Sequence, residues 1–96
     1  MKRIYLSGAI TGRHKSEYEA HFDSAAIFLS QSLWIPVNPV SLNHDHDKTY
    51  ESYIRRDLKA LLDCDAIYML TGWEHSKGAR IEFNIAVELK MKIIFE

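Results

Sequence analysis

The period of the apolar positions changes several times along the chain, and the changes mark out strands alternating with helices. Ile4-Tyr5-Leu6-Ser7 is a short run of β-forming residues closed by Gly8, and it predicts a first strand. From about Ser16 the apolar residues Tyr18, Phe22, Ala25, Ala26, Leu29 and Leu33 fall at helical spacing, with Ser16 placed to cap that helix. Leu33-Trp34-Ile35-Pro36-Val37 predicts a second strand, which Asn38-Pro39 ends. Pro36 has no amide hydrogen for a ladder, so this strand belongs at a sheet edge. Residues 40 to 48 are polar around His44-Asp45-His46-Asp47 and show no period, which predicts a loop. A second helix begins near Tyr50: Tyr50, Ile54, Leu58, Leu61 and Leu62 form one stripe, and Arg55, Arg56 and Lys59 largely turn elsewhere. Asp57 lies one helical turn after Tyr53 and projects from the same side. Ala66-Ile67-Tyr68-Met69-Leu70 is almost entirely apolar, as a central parallel strand covered on both faces must be. After a loop from Thr71 to Lys77, the positions of Ala79, Phe83, Ala86 and Val87 predict a third helix, and Ile93-Ile94-Phe95 a final strand.

Alternation of this kind implies an α/β fold: a single Rossmann-like (flavodoxin-like) three-layer domain over residues 1–96, with about four parallel strands in the order 2-1-3-4 and right-handed crossovers. In that order the chain winds one way from the first strand and the other way later. A crevice then opens beyond the carboxyl ends of strands one and three. Two glycine-containing turns leave those ends. Ser7-Gly8-Ala9-Ile10-Thr11-Gly12-Arg13 follows the first strand, and Ser76-Lys77-Gly78-Ala79-Arg80-Ile81-Glu82 opens the third helix. A helix N-terminus offers unpaired backbone N–H groups to an anion, and a carboxylate one turn further in can point across the same cavity.

Charge and composition narrow the partners. Lys and Arg total 12 against 13 Asp and Glu in 96 residues, so no strong field favours duplex nucleic acid or an anionic membrane, and any phosphate recognition must be local. Cys64 is the only cysteine, which excludes an intrachain disulfide. No apolar stretch is long enough to cross a bilayer, and Met1-Lys2-Arg3 leads straight into the first strand without the apolar core of a signal peptide, so a cytoplasmic protein is expected. A domain of this size has little surplus stability, and a homodimer or higher homo-oligomer is expected.

The glycine turns lack both the dinucleotide pattern G-x-G-x-x-G and the G-K-[ST] ending of a nucleotide triphosphatase loop. A phosphoacceptor receiver domain would carry acids after the first strand and an aspartate ending the third, where this chain has Ser7-Gly8 and Thr71-Gly72. What remains is a crevice with small hydroxyl residues, a few cations and two acids, Asp57 and Glu82.

Three motifs together resemble a known family. They are Tyr5-x-Ser7-Gly8-x-Ile10-x-Gly12-Arg13, Asp57-Leu58 followed by Cys64-Asp65-Ala66, and Ser76-x-Gly78-x-x-x-Glu82, and the resemblance covers the chain from Tyr5 to Leu89. The pattern is similar to that of the nucleoside 2-deoxyribosyltransferase-like superfamily, nearest its 2′-deoxynucleoside 5′-monophosphate N-glycosidases and small phage and bacterial deoxyribosyltransferase-like proteins. The resemblance implies an N-glycosidase acting on a nucleoside or nucleotide, with no cofactor and no metal. By position it implies that Glu82 is the nucleophile and that Asp57 contacts the sugar and assists departure of the base. It implies phosphate or substrate contact for Ser7, Gly8, Ile10, Gly12, Arg13, Ser76 and Gly78. Ser76 points to a 5′-monophosphate, because nucleoside-using transferases tend to carry an aspartate there; Ala9 departs from the serine of the hydrolases. Within that chemistry Tyr5 is expected to hold Glu82 as a carboxylate.

Each residue also has a plainer reading. Glu82 can be an exposed helix acid, Asp57 a solvated partner of a neighbouring arginine, Ser76 only a helix cap, and Tyr5 only strand packing. The two histidines of the 44–47 loop lack further ligands for a metal, and a polar lid is the better expectation. Trp73 is expected to stack on a base or on another subunit, and Cys64 to be a small residue packed before a strand. The competing functions are a nucleoside 2-deoxyribosyltransferase, a non-catalytic nucleotide-binding or sequestering module, and a scaffold in which the corner is only structural.

Overall fold

The computed structural model describes residues 2–42 and 49–96. Strands β1 (Arg3–Ser7), β2 (Ile35–Val37), β3 (Ala66–Met69) and β4 (Lys92–Phe95) alternate with helices α1 (Lys15–Gln31), α2 (Tyr50–Leu62) and α3 (Lys77–Glu88). The strands form one parallel sheet in the order β2-β1-β3-β4, as the alternation predicts. The His44-Asp45-His46-Asp47 segment, for which a loop is expected, lies outside the described residues.

Side chains on a strand alternate between faces, and this divides the core in two. Ile4, Leu6, Ala66 and Tyr68 pack on one side with Phe22, Ala25 and Leu29 of α1. Tyr5, Ile67 and Met69 pack on the other with Ala60 and Leu61 of α2 and Ala79 and Ala86 of α3. The central strand β3 is buried throughout, whereas β4 at one edge is partly exposed. Ala79 and Ala86 are small, so α3 lies close against the sheet, and Glu82 falls on the same buried stripe.

Two boundaries differ from the sequence pattern. Helix α1 starts at Lys15 with His14 at its N-cap, and Ser16 sits inside the first turn with its hydroxyl 2.9 Å from His14 Nδ1. Leu33 belongs to the end of α1 rather than to β2. Its backbone is left-handed (φ 67°), and Leu33 N–H to Ser30 O and Trp34 N–H to Leu29 O close the helix end. That closure normally uses glycine, so an exposed leucine in the role reads misleadingly as part of the following strand. Lys90 ends α3 in the same way, with φ 56°. Trp73 stacks within the chain on Phe83, with ring centroids 4.6 Å apart.

Among the described residues no helix is long and apolar enough to cross a membrane.

Candidate active site

The strand order puts the ends of β1 and β3 side by side, and the turns that leave them border one cavity of about 490 Å³. That volume lies within the usual range for small-molecule sites. Glu82 reaches it from α3 and Asp57 from α2.

Glu82 is not a surface acid; it is only 5% exposed. Because Tyr5 and Ser7 are two apart on β1, both project toward α3, and both are fully buried. The Tyr5 hydroxyl donates to Glu82 Oε2 at 2.6 Å, and the Ser7 hydroxyl donates to Oε1 at 2.7 Å. Each carboxylate oxygen is therefore held by a donor from a central strand. Burial pushes the Glu82 carboxyl up to about 7; the bonds from Tyr5 and Ser7 oppose that rise, and the charge of Asp57 adds to it. Burial, with the nearby Glu82 and Asp57 charges, drives the Tyr5 phenol well above its ordinary value, so Tyr5 remains a neutral donor.

Asp57 differs in its surroundings. Its Oδ1 atom is buried with no hydrogen-bond partner among the described residues. Burial also raises this carboxyl to about 7, with Arg56 pulling the other way. Burial thus brings two acids in one cavity near neutrality in different settings, Glu82 held by two hydroxyls and Asp57 with an Oδ1 atom that has no hydrogen-bond partner among the described residues.

Of the remaining sequence candidates, Gly8, Ile10, Ser76 and Gly78 line the cavity, and Ser7 lies beneath it against Glu82. Gly12 and Arg13 are not among the residues that line it. Gly12 turns the chain with φ 81°, and one Arg13 guanidinium nitrogen donates to the Ala9 carbonyl at 3.1 Å. Ser76 caps α3, its hydroxyl oxygen accepting from the Ala79 amide at 3.2 Å. Thr11, Tyr18, Pro39, Tyr50, Tyr53 and Ile54 also face the cavity without having been singled out from the sequence for that role. The signal for three of them, Tyr50, Tyr53 and Ile54, is the one-turn spacing of Tyr50 with Ile54 and of Tyr53 with Asp57, which turns α2 toward the crevice. Among the described residues no three His, Cys, Asp or Glu side chains gather as metal ligands would.

Gly8 has a packing reason of its own. A Cβ there would stand 2.9 Å from Leu70 Cδ1, 3.0 Å from Leu70 Cβ and 3.2 Å from Phe22 Cζ, and both neighbours are fully buried. Gly8→Ala is expected to lower unfolding stability by about 1–3 kcal/mol, the usual cost of overpacking. A denaturation midpoint equal to that of the parent would show that Leu70 yields without cost.

These features define a Rossmann-like α/β domain with a buried, doubly hydrogen-bonded carboxylate at the switch point of its sheet. The chain belongs to the family described as "Domain of unknown function (DUF4406)", whose model matches residues 2–95. Comparison with curated proteins finds no match.

Proposed function

We propose that the protein is an N-glycosidase of the nucleoside 2-deoxyribosyltransferase-like type, cleaving the base–sugar bond of a deoxynucleoside 5′-monophosphate through a glycosyl–Glu82 intermediate. The observation that supports this most is the pair of acids: Glu82 with both oxygens fixed by Tyr5 and Ser7, sharing a cavity with a buried Asp57 oxygen that has no hydrogen-bond partner among the described residues. An unmatched buried polar atom is costly, and its persistence at a cavity wall is what a ligand-facing group requires.

In the first step a Glu82 carboxylate oxygen attacks C1′ of the sugar through an oxocarbenium-like transition state. The C1′–N bond breaks, its electron pair leaves on the base, and protonated Asp57 supplies the proton the base takes up. In the second step water attacks C1′ and the ester C1′–O bond breaks. Asp57 accepts the water proton, the sugar 5′-phosphate leaves, and the Glu82 carboxylate is restored. Replacing that water with a second base gives the transferase reaction. The two hydroxyl donors favour the ionised form of Glu82, and burial favours the neutral form of Asp57.

The 5′-phosphate is assigned to the N-terminus of α3, where Ser76 offers a hydroxyl beside the backbone N–H groups of the first turn. Incubation with a panel of deoxynucleosides and their monophosphates, read by chromatography of the free base, tests the reading. Release from monophosphates in preference to nucleosides is expected. Saturable binding without release would instead identify a nucleotide-binding module, and neither would leave a scaffold. Ser76→Ala is expected to reduce kcat/KM for monophosphates roughly tenfold more than for nucleosides, the worth of a hydrogen bond to a charged group. Equal losses on both substrates would remove Ser76 from phosphate recognition.

A further inference from the structure

A line of polar contacts outside the acid pair ends on the backbone of the β1–α1 turn. Arg13 NH1, which donates to the Ala9 carbonyl, is also 3.3 Å from His21 Nδ1. Arginine can only donate, so His21 Nδ1 must accept, and in a neutral imidazole the proton then sits on Nε2. That nitrogen lies 2.8 Å from Glu96 Oε1, which also accepts the Thr71 backbone N–H at 2.7 Å. Burial raises the Glu96 carboxyl, but the bonds from Thr71 and His21 outweigh it and hold the group below its ordinary value, keeping an ionised acceptor at neutral pH. Thr71 follows β3, Glu96 follows β4, and Ala9 lies between Gly8 and Ile10, two residues that line the crevice.

We propose that His21 is a positioning residue of the crevice: with its tautomer fixed by Glu96, its Nδ1 atom holds the Arg13 guanidinium on the Ala9 carbonyl and so sets the shape of the turn that presents Gly8 and Ile10 to the ligand. Its effect on catalysis rests on the nucleotide-cleaving reading, whereas the tautomer and the turn conformation do not. A residue that shapes the turn alters substrate binding rather than the acids that do the chemistry.

Three variants separate this role from general packing. His21→Phe removes both ring nitrogens. His21→Gln offers its polar atoms one bond further out, while His21→Asn keeps an acceptor at the δ position that Arg13 uses. His21→Phe and His21→Gln are expected to raise KM for a deoxynucleoside 5′-monophosphate roughly fivefold, the worth of one hydrogen bond. Their kcat should stay within about twofold of the parent, and His21→Asn should restore most of the KM. A fall in kcat at constant KM, or an Asn variant no better than the Phe variant, would overturn the proposal. Should the parent release no base from any nucleotide, the functional reading fails by itself, and nitrogen-15 NMR decides the positioning role. The neutral imidazole must then show its proton on Nε2, and the Gly8 and Ile10 amide signals must move more in His21→Phe than in His21→Asn. A proton on Nδ1, or unmoved amides in His21→Phe, would refute it.

Discussion

Glu82→Gln is expected to reduce kcat/KM for base release roughly a thousandfold or more, the scale on which loss of a nucleophile acts, while making the fold more stable above neutral pH. The two effects have one cause. In the folded protein the carboxyl titrates near 7, against an ordinary value of 4.5, because burial outweighs the bonds from Tyr5 and Ser7. Between those two values the folded chain retains a proton that the unfolded chain has released. Stability must therefore fall as pH rises through that window and level off above it. The ionised group costs up to about 3 kcal/mol at pH 8, and glutamine, close in shape to the protonated acid, avoids most of that cost. Below about pH 4.5 the parent and the variant should converge. Urea unfolding at pH 4 and pH 8 measures the difference. A variant destabilised equally at both values would mean that Glu82 serves packing.

Asp57→Asn is the second large effect: a loss of roughly a hundredfold to ten-thousandfold, the usual range for one general acid, together with a change in the pH profile. Glu82 acts as a carboxylate and Asp57 as an acid, and both titrate near 7, so kcat/KM for the parent should be bell-shaped around neutrality. The Glu82 carboxyl feels the charge of Asp57, so the two apparent values belong to the pair rather than to either group. Without a titrating group at position 57 the alkaline limb should disappear and the acid limb should move down in pH, since one source of the upward push on Glu82 has gone. Bases that leave readily without a proton should suffer least. An unaltered bell in Asp57→Asn would assign the alkaline limb to another residue and remove Asp57 from the proton transfer.

The parts of the molecule legible in the sequence are those governed by periodicity. The apolar run from Ala66 to Leu70 becomes the buried central strand, and the helical spacing from Tyr50 to Leu62 becomes α2. Strand order then brings both glycine-containing turns to one end of the sheet. Where a residue stands in for an unusual partner the pattern misleads, as at Leu33, whose left-handed backbone ends a helix although leucine suits a strand. Side-chain partners set by tertiary placement were legible only in part. Tyr5 and Glu82, expected side by side, are hydrogen bonded, but the Ser7 bond to the other oxygen follows from strand alternation meeting α3 and has no local signature. Arg13 reads as a cation ready for phosphate. Its engagement with Ala9 and His21 depends on a helix position eight residues away and on Glu96 beyond the last strand, which no window of sequence brings together.

The stereochemistry of base release in water containing methanol tests the central claim most directly. Two successive displacements at C1′, the first by Glu82, require the methyl glycoside to keep the configuration of the starting nucleotide, and proton NMR of the product distinguishes the two anomers. Retention is the predicted result. Inversion at C1′, or no base released from any deoxynucleotide, would contradict a covalent role for Glu82.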